Sequence, residues 1–138
     1  LIMSAWNPEQ INNMALPPCH VLSQFHVTDS NKLSCTLYQR SADMGLGVPF
    51  NIASYSFLTH LLAKHCDLEA SEFIHFLGNA HIYDDHIDSL NNQLENEPLT
   101  PPKLYIKNKY QNIEDYNIDD FVINDYKCHD MIKMKMRA

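Results

Sequence analysis

The chain has 138 residues, 45% of them hydrophobic, which fits one globular domain or a piece of a larger one. Its net charge of −7 offers no basic field for nucleic acid or an anionic membrane. It has no apolar run of the roughly 18 residues a transmembrane helix needs, and the opening "LIMSAWNPEQ" lacks the basic-then-apolar layout of a signal peptide.

In chain order, Leu1–Ser4 reads as the tail of a strand. The chain does not open on methionine, so it is expected to be cut from something longer. Asn7 can cap a short helix with Pro8 at its first position. Val21–Val27 alternates, with Val21, Phe25 and Val27 on one side and Gln24 and His26 on the other. The turn-rich "TDSNK" follows. Leu33–Arg40 then alternates again, Leu33, Cys35 and Leu37 against Thr36, Tyr38 and Arg40, which predicts a hairpin. Pro49 opens a long helix, "PFNIASYSFLTHLLAKH". Phe50, Ala53, Phe57, Leu58 and Leu61 keep helical spacing, and Ile52, Tyr55 and Leu62 add apolar groups on other sides. That helix is therefore expected to be buried. "FIHFL", Phe73–Leu77, reads as a short strand, and Tyr83, Ile87, Leu90 and Leu94 form the face of a second helix. A proline-rich loop, "NEPLTPPK", leads to later strands at Leu104–Ile106 and Phe121–Ile123. The whole is a mixed α/β fold.

The four cysteines, Cys19, Cys35, Cys66 and Cys128, form no CxxC pair, so a zinc knuckle or redox motif is not indicated. Scattered thiols fit a reducing, cytoplasmic setting. Cys19 follows two prolines and precedes a strand; it reads either as a small core residue or as a nucleophile. Arg40 ends a strand and is followed by Ser41, Ala42 and Asp43. A guanidinium beside a hydroxyl suits a phosphate, because its planar fork bonds two oxygens; the plainer reading is a surface ion pair. Asn51, near the start of the long helix, is either a structural hydrogen bonder or a reader of a base edge. In "HIYDDHID", His81 and Asp85 would share a face if both were helical and could bind a metal. An acidic, solvated helix start is the plainer reading. If His81–Tyr83 is extended, the two side chains point the same way and can share one hydroxyl.

The segments "SAWNPEQINNMALPPCH", "LSCTLYQRSADMGLGVPFNIASYSFLTHLLAKHCDLE" and "HIYDDHID" resemble thymidylate synthase, in register and without large gaps from Leu1 to the tail. The resemblance implies a single domain, of which residues 1–138 are the C-terminal part, with a bent mixed sheet packed by helices and a homodimer interface through that sheet. It implies reductive methylation of dUMP to dTMP with 5,10-methylenetetrahydrofolate as co-substrate and without a metal. Cys19 matches the nucleophile that attacks C6 of the uracil. Arg40, Ser41, Ala42 and Asp43 match the nucleotide-binding run, with Asp43 also touching folate. Asn51 matches the residue that bonds O4 and N3–H of the base. His81 and Tyr83 match the pair on the ribose 3′-hydroxyl. Arg137 stands where a small residue contacting folate is usual, and "CHDMIKMKMRA" replaces a proline-flanked histidine and an apolar tail. The family's N-terminal half, with its phosphate loop and catalytic glutamate, is not in this sequence, so the chain alone is expected to be inactive. A dihydrofolate reductase domain, fused upstream or associated, is an expected partner; nucleic acid and membrane are not. The alternatives are a pyrimidine hydroxymethylase of the same fold and a non-catalytic dimerising fragment.

Overall fold

The computed structural model describes residues 1–137. Strand β1 (Ile2–Ser4) pairs antiparallel with β2 (His20–Val27), and β2 pairs antiparallel with β3 (Lys32–Asp43). The β2–β3 turn closes where Thr28 N–H donates to the Lys32 carbonyl at 2.9 Å. Asn31 takes the positive φ that the turn requires, 58°. Helix α1 (Val48–His65) then crosses the sheet and leads to β4 (Glu69–His81), which pairs parallel with β3. A parallel pair needs such a crossover. The sheet is mixed, in the order β1-β2-β3-β4.

Period-2 alternation decides which face α1 covers. Leu33, Cys35, Leu37 and Gln39 of β3 are all buried on the helix side. Phe25, Leu33, Cys35 and Ala63 form the core, packed by Tyr55, Leu58, Leu62 and Phe73. Burial pushes the Cys35 thiol above its ordinary value, which marks it as an inert core group. The opposite face of the sheet stays open, with Tyr38, Ile74 and Phe76 respectively 45%, 40% and 58% exposed.

Three expectations need correction. Helix α1 is not buried all round: Phe50 is 71% and Ile52 45% exposed, because the sheet lies against one side of the helix only. Strand β4 is far longer than Phe73–Leu77. Its pairing with β3 runs from Lys32↔Glu69 to Asp43↔His81, so the ladder carries Glu72, His75 and Asn79 along with the apolar run. The helix predicted from Asn7 is instead a turn followed by a 3-10 segment at Ile11–Asn13, although Asn7 Oδ1 does accept the Glu9 N–H at 3.2 Å.

A 3-10 turn (Asp84–His86) leads into α2 (Ile87–Leu94), and β5 (Lys103–Ile106) pairs antiparallel with β6 (Phe121–Asn124). Phe121 packs on Phe57 of α1 with ring centroids 4.7 Å apart, which ties this small sheet to the helix. Buried Asp120 accepts from Asn117 N–H, Asn108 Nδ2 and the Tyr110 hydroxyl at 3.0, 2.6 and 3.0 Å.

Candidate active site

The parallel strands β3 and β4 end together, at Asp43↔His81, beside the start of α1. Open sheets place ligands in the crevice outside the carboxyl ends of parallel strands. Five of the predicted site residues, Ser41, Ala42, Asp43, Asn51 and His81, lie at or near this edge.

Cys19 sits immediately before β2 and is half-buried. Its carbonyl accepts the Arg40 backbone N–H at 2.9 Å. The Arg40 side chain donates from Nε to the Pro18 carbonyl at 3.0 Å and from Nη2 to the Pro17 carbonyl at 2.5 Å. A guanidinium has five N–H donors, so three remain for an anion after these two bonds. Arg40 is thus not the surface ion pair of the plainer reading; it clasps the peptide segment that carries the thiol. Gly78 makes room for it, since a Cβ there would stand 2.8 Å from the Arg40 carbonyl oxygen. Cys19 borders an open depression of about 340 Å³, lined also by Ala5, Pro18, His20 and Tyr55.

Asn51, in the first turns of α1, is fixed by a residue that the sequence reading did not single out. Gln39 Nε2 donates to the Ser41 carbonyl at 2.9 Å and to Asn51 Oδ1 at 3.0 Å, and Gln39 Oε1 meets His75 Nε2 at 2.9 Å. A carbonyl can only accept, so the Ser41 contact fixes the Gln39 amide, and the Gln39 amide in turn fixes that of Asn51. The Asn51 Nδ2 group is left free to donate, and Oδ1 keeps one lone pair. His75 carries its proton on Nε2 for the same reason. Its pKa lies below the ordinary histidine value, first because of burial and then because of the charge of His20. The signal for Gln39 was present in the sequence: it continues the Leu33, Cys35, Leu37 alternation, which puts a polar side chain on a buried face.

At the end of β3, Asp43 Oδ1 accepts Gly45 N–H at 2.9 Å and Oδ2 accepts Leu46 N–H at 3.3 Å. Met44 N–H donates to the His81 carbonyl at 3.0 Å, so the two strand ends are tied. Ala42, paired with Ala80 of β4, is wholly buried. His81 closes β4 and Tyr83 is extended, at φ −72° and ψ 142°. Their rings meet edge to face with centroids 5.3 Å apart. His81 is therefore not on a helix with Asp85, and the shared helical face that a metal pair required does not form. Among the described residues, no group of three or more His, Cys, Asp or Glu side chains is placed to hold a metal.

The tail reaches back to this edge. His86 is fully buried, and its Nε2 bonds the Lys135 carbonyl at 2.8 Å. Arg137 pairs with Asp85 through both nitrogens of its fork, Nε to Oδ1 at 3.4 Å and Nη2 to Oδ2. That bond holds the Asp85 carboxyl below its ordinary pKa. Neither contact was foreseen, since some fifty residues separate the partners.

An arginine clasps the segment that carries one thiol, an amide is locked near the start of α1, and a histidine–tyrosine pair closes β4; comparison with known proteins gives the chain a family. A model of the family described as thymidylate synthase matches residues 1–138. The thymidylate synthase of Saccharomyces cerevisiae is 54% identical, over 99% of this chain and 47% of its own length. That of Malacoplasma penetrans is 54% identical over the same shares. The bifunctional dihydrofolate reductase-thymidylate synthase of Plasmodium berghei is 54% identical over all of this chain and 23% of its own length. The chain belongs to the thymidylate synthase family, and it spans about half the length of the monofunctional relatives it matches.

Proposed function

We propose that the intact protein makes dTMP from dUMP and 5,10-methylenetetrahydrofolate, with Cys19 as the covalent nucleophile. The observation that carries this reading is the Gln39–Asn51 lock. A uracil edge offers an acceptor at O4 and a donor at N3–H. Asn51 Nδ2 donates to the first, and the remaining lone pair of Oδ1 accepts the second. Cytosine reverses both groups. To match it Asn51 would have to flip, which would set its NH2 against that of Gln39. The lock therefore supports selection of uracil over cytosine.

Attack of the Cys19 thiolate on C6 leaves the electron pair at C5, conjugated to O4, and Asn51 Nδ2 stabilises the enolate there. The folate supplies one carbon and a hydride and leaves as dihydrofolate; the C5 hydrogen departs as a proton, and the C6–S bond breaks to return the Cys19 thiolate and release dTMP. Asp43, half-buried, keeps lone pairs beyond those used by Gly45 and Leu46, which suits an N–H donor of a folate ring. Arg40, with Ser41 beside it, takes the nucleotide phosphate on its three free donors. Ala42, buried, follows them in β3, and His81 and Tyr83 share the ribose hydroxyl. Arg137 contributes to the folate side through the tail that it anchors.

The open apolar face bearing Tyr38, Ile74 and Phe76 supports a homodimer formed through the sheet. The four cysteines are free thiols, which supports a cytoplasmic setting. The bifunctional relatives support a dihydrofolate reductase, fused or separate, as consumer of the dihydrofolate. The test is product analysis. The intact protein with dUMP and 5,10-methylenetetrahydrofolate should yield dTMP and dihydrofolate in equal amounts. A hydroxymethylated nucleotide, or no turnover, would overturn the reading.

A further inference from the structure

We propose that Asp85 and Arg137 form a latch that holds residues 134–137 against the candidate site, which makes Asp85 a positioning residue for it. The latch has three anchors within four residues of the tail. Met134 Sδ stands 3.4 Å from where a Gly45 Cβ would be, and Asp43 Oδ1 stands 3.5 Å from the same point. Lys135 is held through its carbonyl by His86 Nε2 at 2.8 Å. Arg137 is held by the fork on Asp85.

Two of these anchors come from one 3-10 turn, Asp84–His86, which starts directly after Tyr83. The turn is pinned at its last residue. His86 is fully buried, its ring meets Tyr83 with centroids 5.4 Å apart, and its Nδ1 lies 2.9 Å from the position of a Gly45 Cβ. Because the Lys135 carbonyl can only accept, His86 carries its proton on Nε2. The carbonyl bond alone fixes a point of the strap; the ion pair, two residues on, fixes its direction. Release of the pair therefore loosens the tail beside Asp43.

The functional part of this inference rests on the proposed thymidylate synthase reading; the structural part does not. The test uses the intact protein, with Asp85→Asn, Arg137→Ala and the exchanged pair Asp85→Arg with Arg137→Asp. Hydrogen exchange of the amides of residues 133–137, read by mass spectrometry, should be faster by about two- to five-fold in each single variant, the range for a partly exposed ion pair. The exchanged pair should restore protection. Half-molar salt should speed the wild type and leave the single variants unchanged, because screening acts only where the pair exists. In the same variants the KM for the folate should rise by a similar factor, and the exchanged pair should reverse it. Unchanged exchange in Asp85→Asn would overturn the latch. Faster exchange with an unchanged folate KM would overturn its link to the site. A wild type that does not turn over dUMP would remove the functional reading and leave the exchange result to judge the latch.

Discussion

Arg40 and Cys19 are joined through the backbone as well as the side chain. The Arg40 N–H bonds the Cys19 carbonyl at 2.9 Å while the guanidinium grips the carbonyls of Pro17 and Pro18. One residue thus holds the segment that carries the thiol at three successive carbonyls. Nothing in the spacing of 21 residues announces this; the antiparallel register of β2 and β3 creates it.

Replacing Arg40 with lysine keeps the charge and removes the fork. Lysine cannot hold both proline carbonyls and still face an anion. With hydrogen bonds to charged groups worth about 1.5–3 kcal/mol, Arg40→Lys should lower kcat/KM for dUMP by at least about ten-fold. Steady-state kinetics on the intact protein checks this, and an unchanged value would separate Arg40 from the nucleotide.

The Gln39–Asn51 lock makes a prediction about specificity. Gln39→Leu frees the Asn51 amide to flip, so the ratio of kcat/KM for dUMP over dCMP should fall by about ten-fold, the worth of roughly one well-made hydrogen bond. Asn51→Asp should lower it too, since a carboxyl group changes the donor and acceptor pattern. A ratio unchanged in both variants would mean that this amide does not read the base.

Gly78 has an ordinary backbone conformation, so its role is space rather than torsional freedom. Gly78→Ala drives a methyl group toward the Arg40 carbonyl and the Tyr38 hydroxyl. Overpacking of this kind costs about 1–3 kcal/mol. We expect a lower Tm together with a higher KM for dUMP, because the atom displaced belongs to Arg40. Loss of Tm without any change in KM would show that the strand moves without disturbing the site.

His75 gives stability a pH dependence. Burial, and then the charge of His20, hold its folded pKa below the ordinary 6.5. Between the depressed folded value and 6.5 the unfolded chain binds the proton and the folded chain does not, so stability falls as pH drops through that window. Tm measured from pH 7.5 downward should decline there, and His75→Gln should flatten the decline. An unaltered slope in the variant would assign it to other groups.

How much of this was legible follows from the range of each interaction. The β2–β3 hairpin is local, and alternation revealed it; the extended His81–Tyr83 pair is local too, but spacing left it open beside a helical reading and only the family resemblance favoured it. Buried Gln39 was visible as a polar residue in an apolar phase, but its partners Asn51 and His75 come from two other elements. The full length of β4 depends on a parallel neighbour, so its own polar residues concealed it. The exposure of Phe50 and Ile52 reflects the one-sided contact of α1 with the sheet, which periodicity within the helix does not report. The Asp85–Arg137 pair joins the motif "HIYDDHID" to the tail, and no local pattern encodes that.

Covalent attack by Cys19 on C6 is the step on which loss of the C5 hydrogen depends, so that loss reports the nucleophile. The intact protein, given C5-tritiated dUMP and 5,10-methylenetetrahydrofolate, should release tritium in step with dTMP formation. Cys19→Ser should bind dUMP but release tritium slower by at least about 10⁴-fold, the scale on which removal of a covalent nucleophile acts. Release by the serine variant at a rate near that of the wild type would contradict the account.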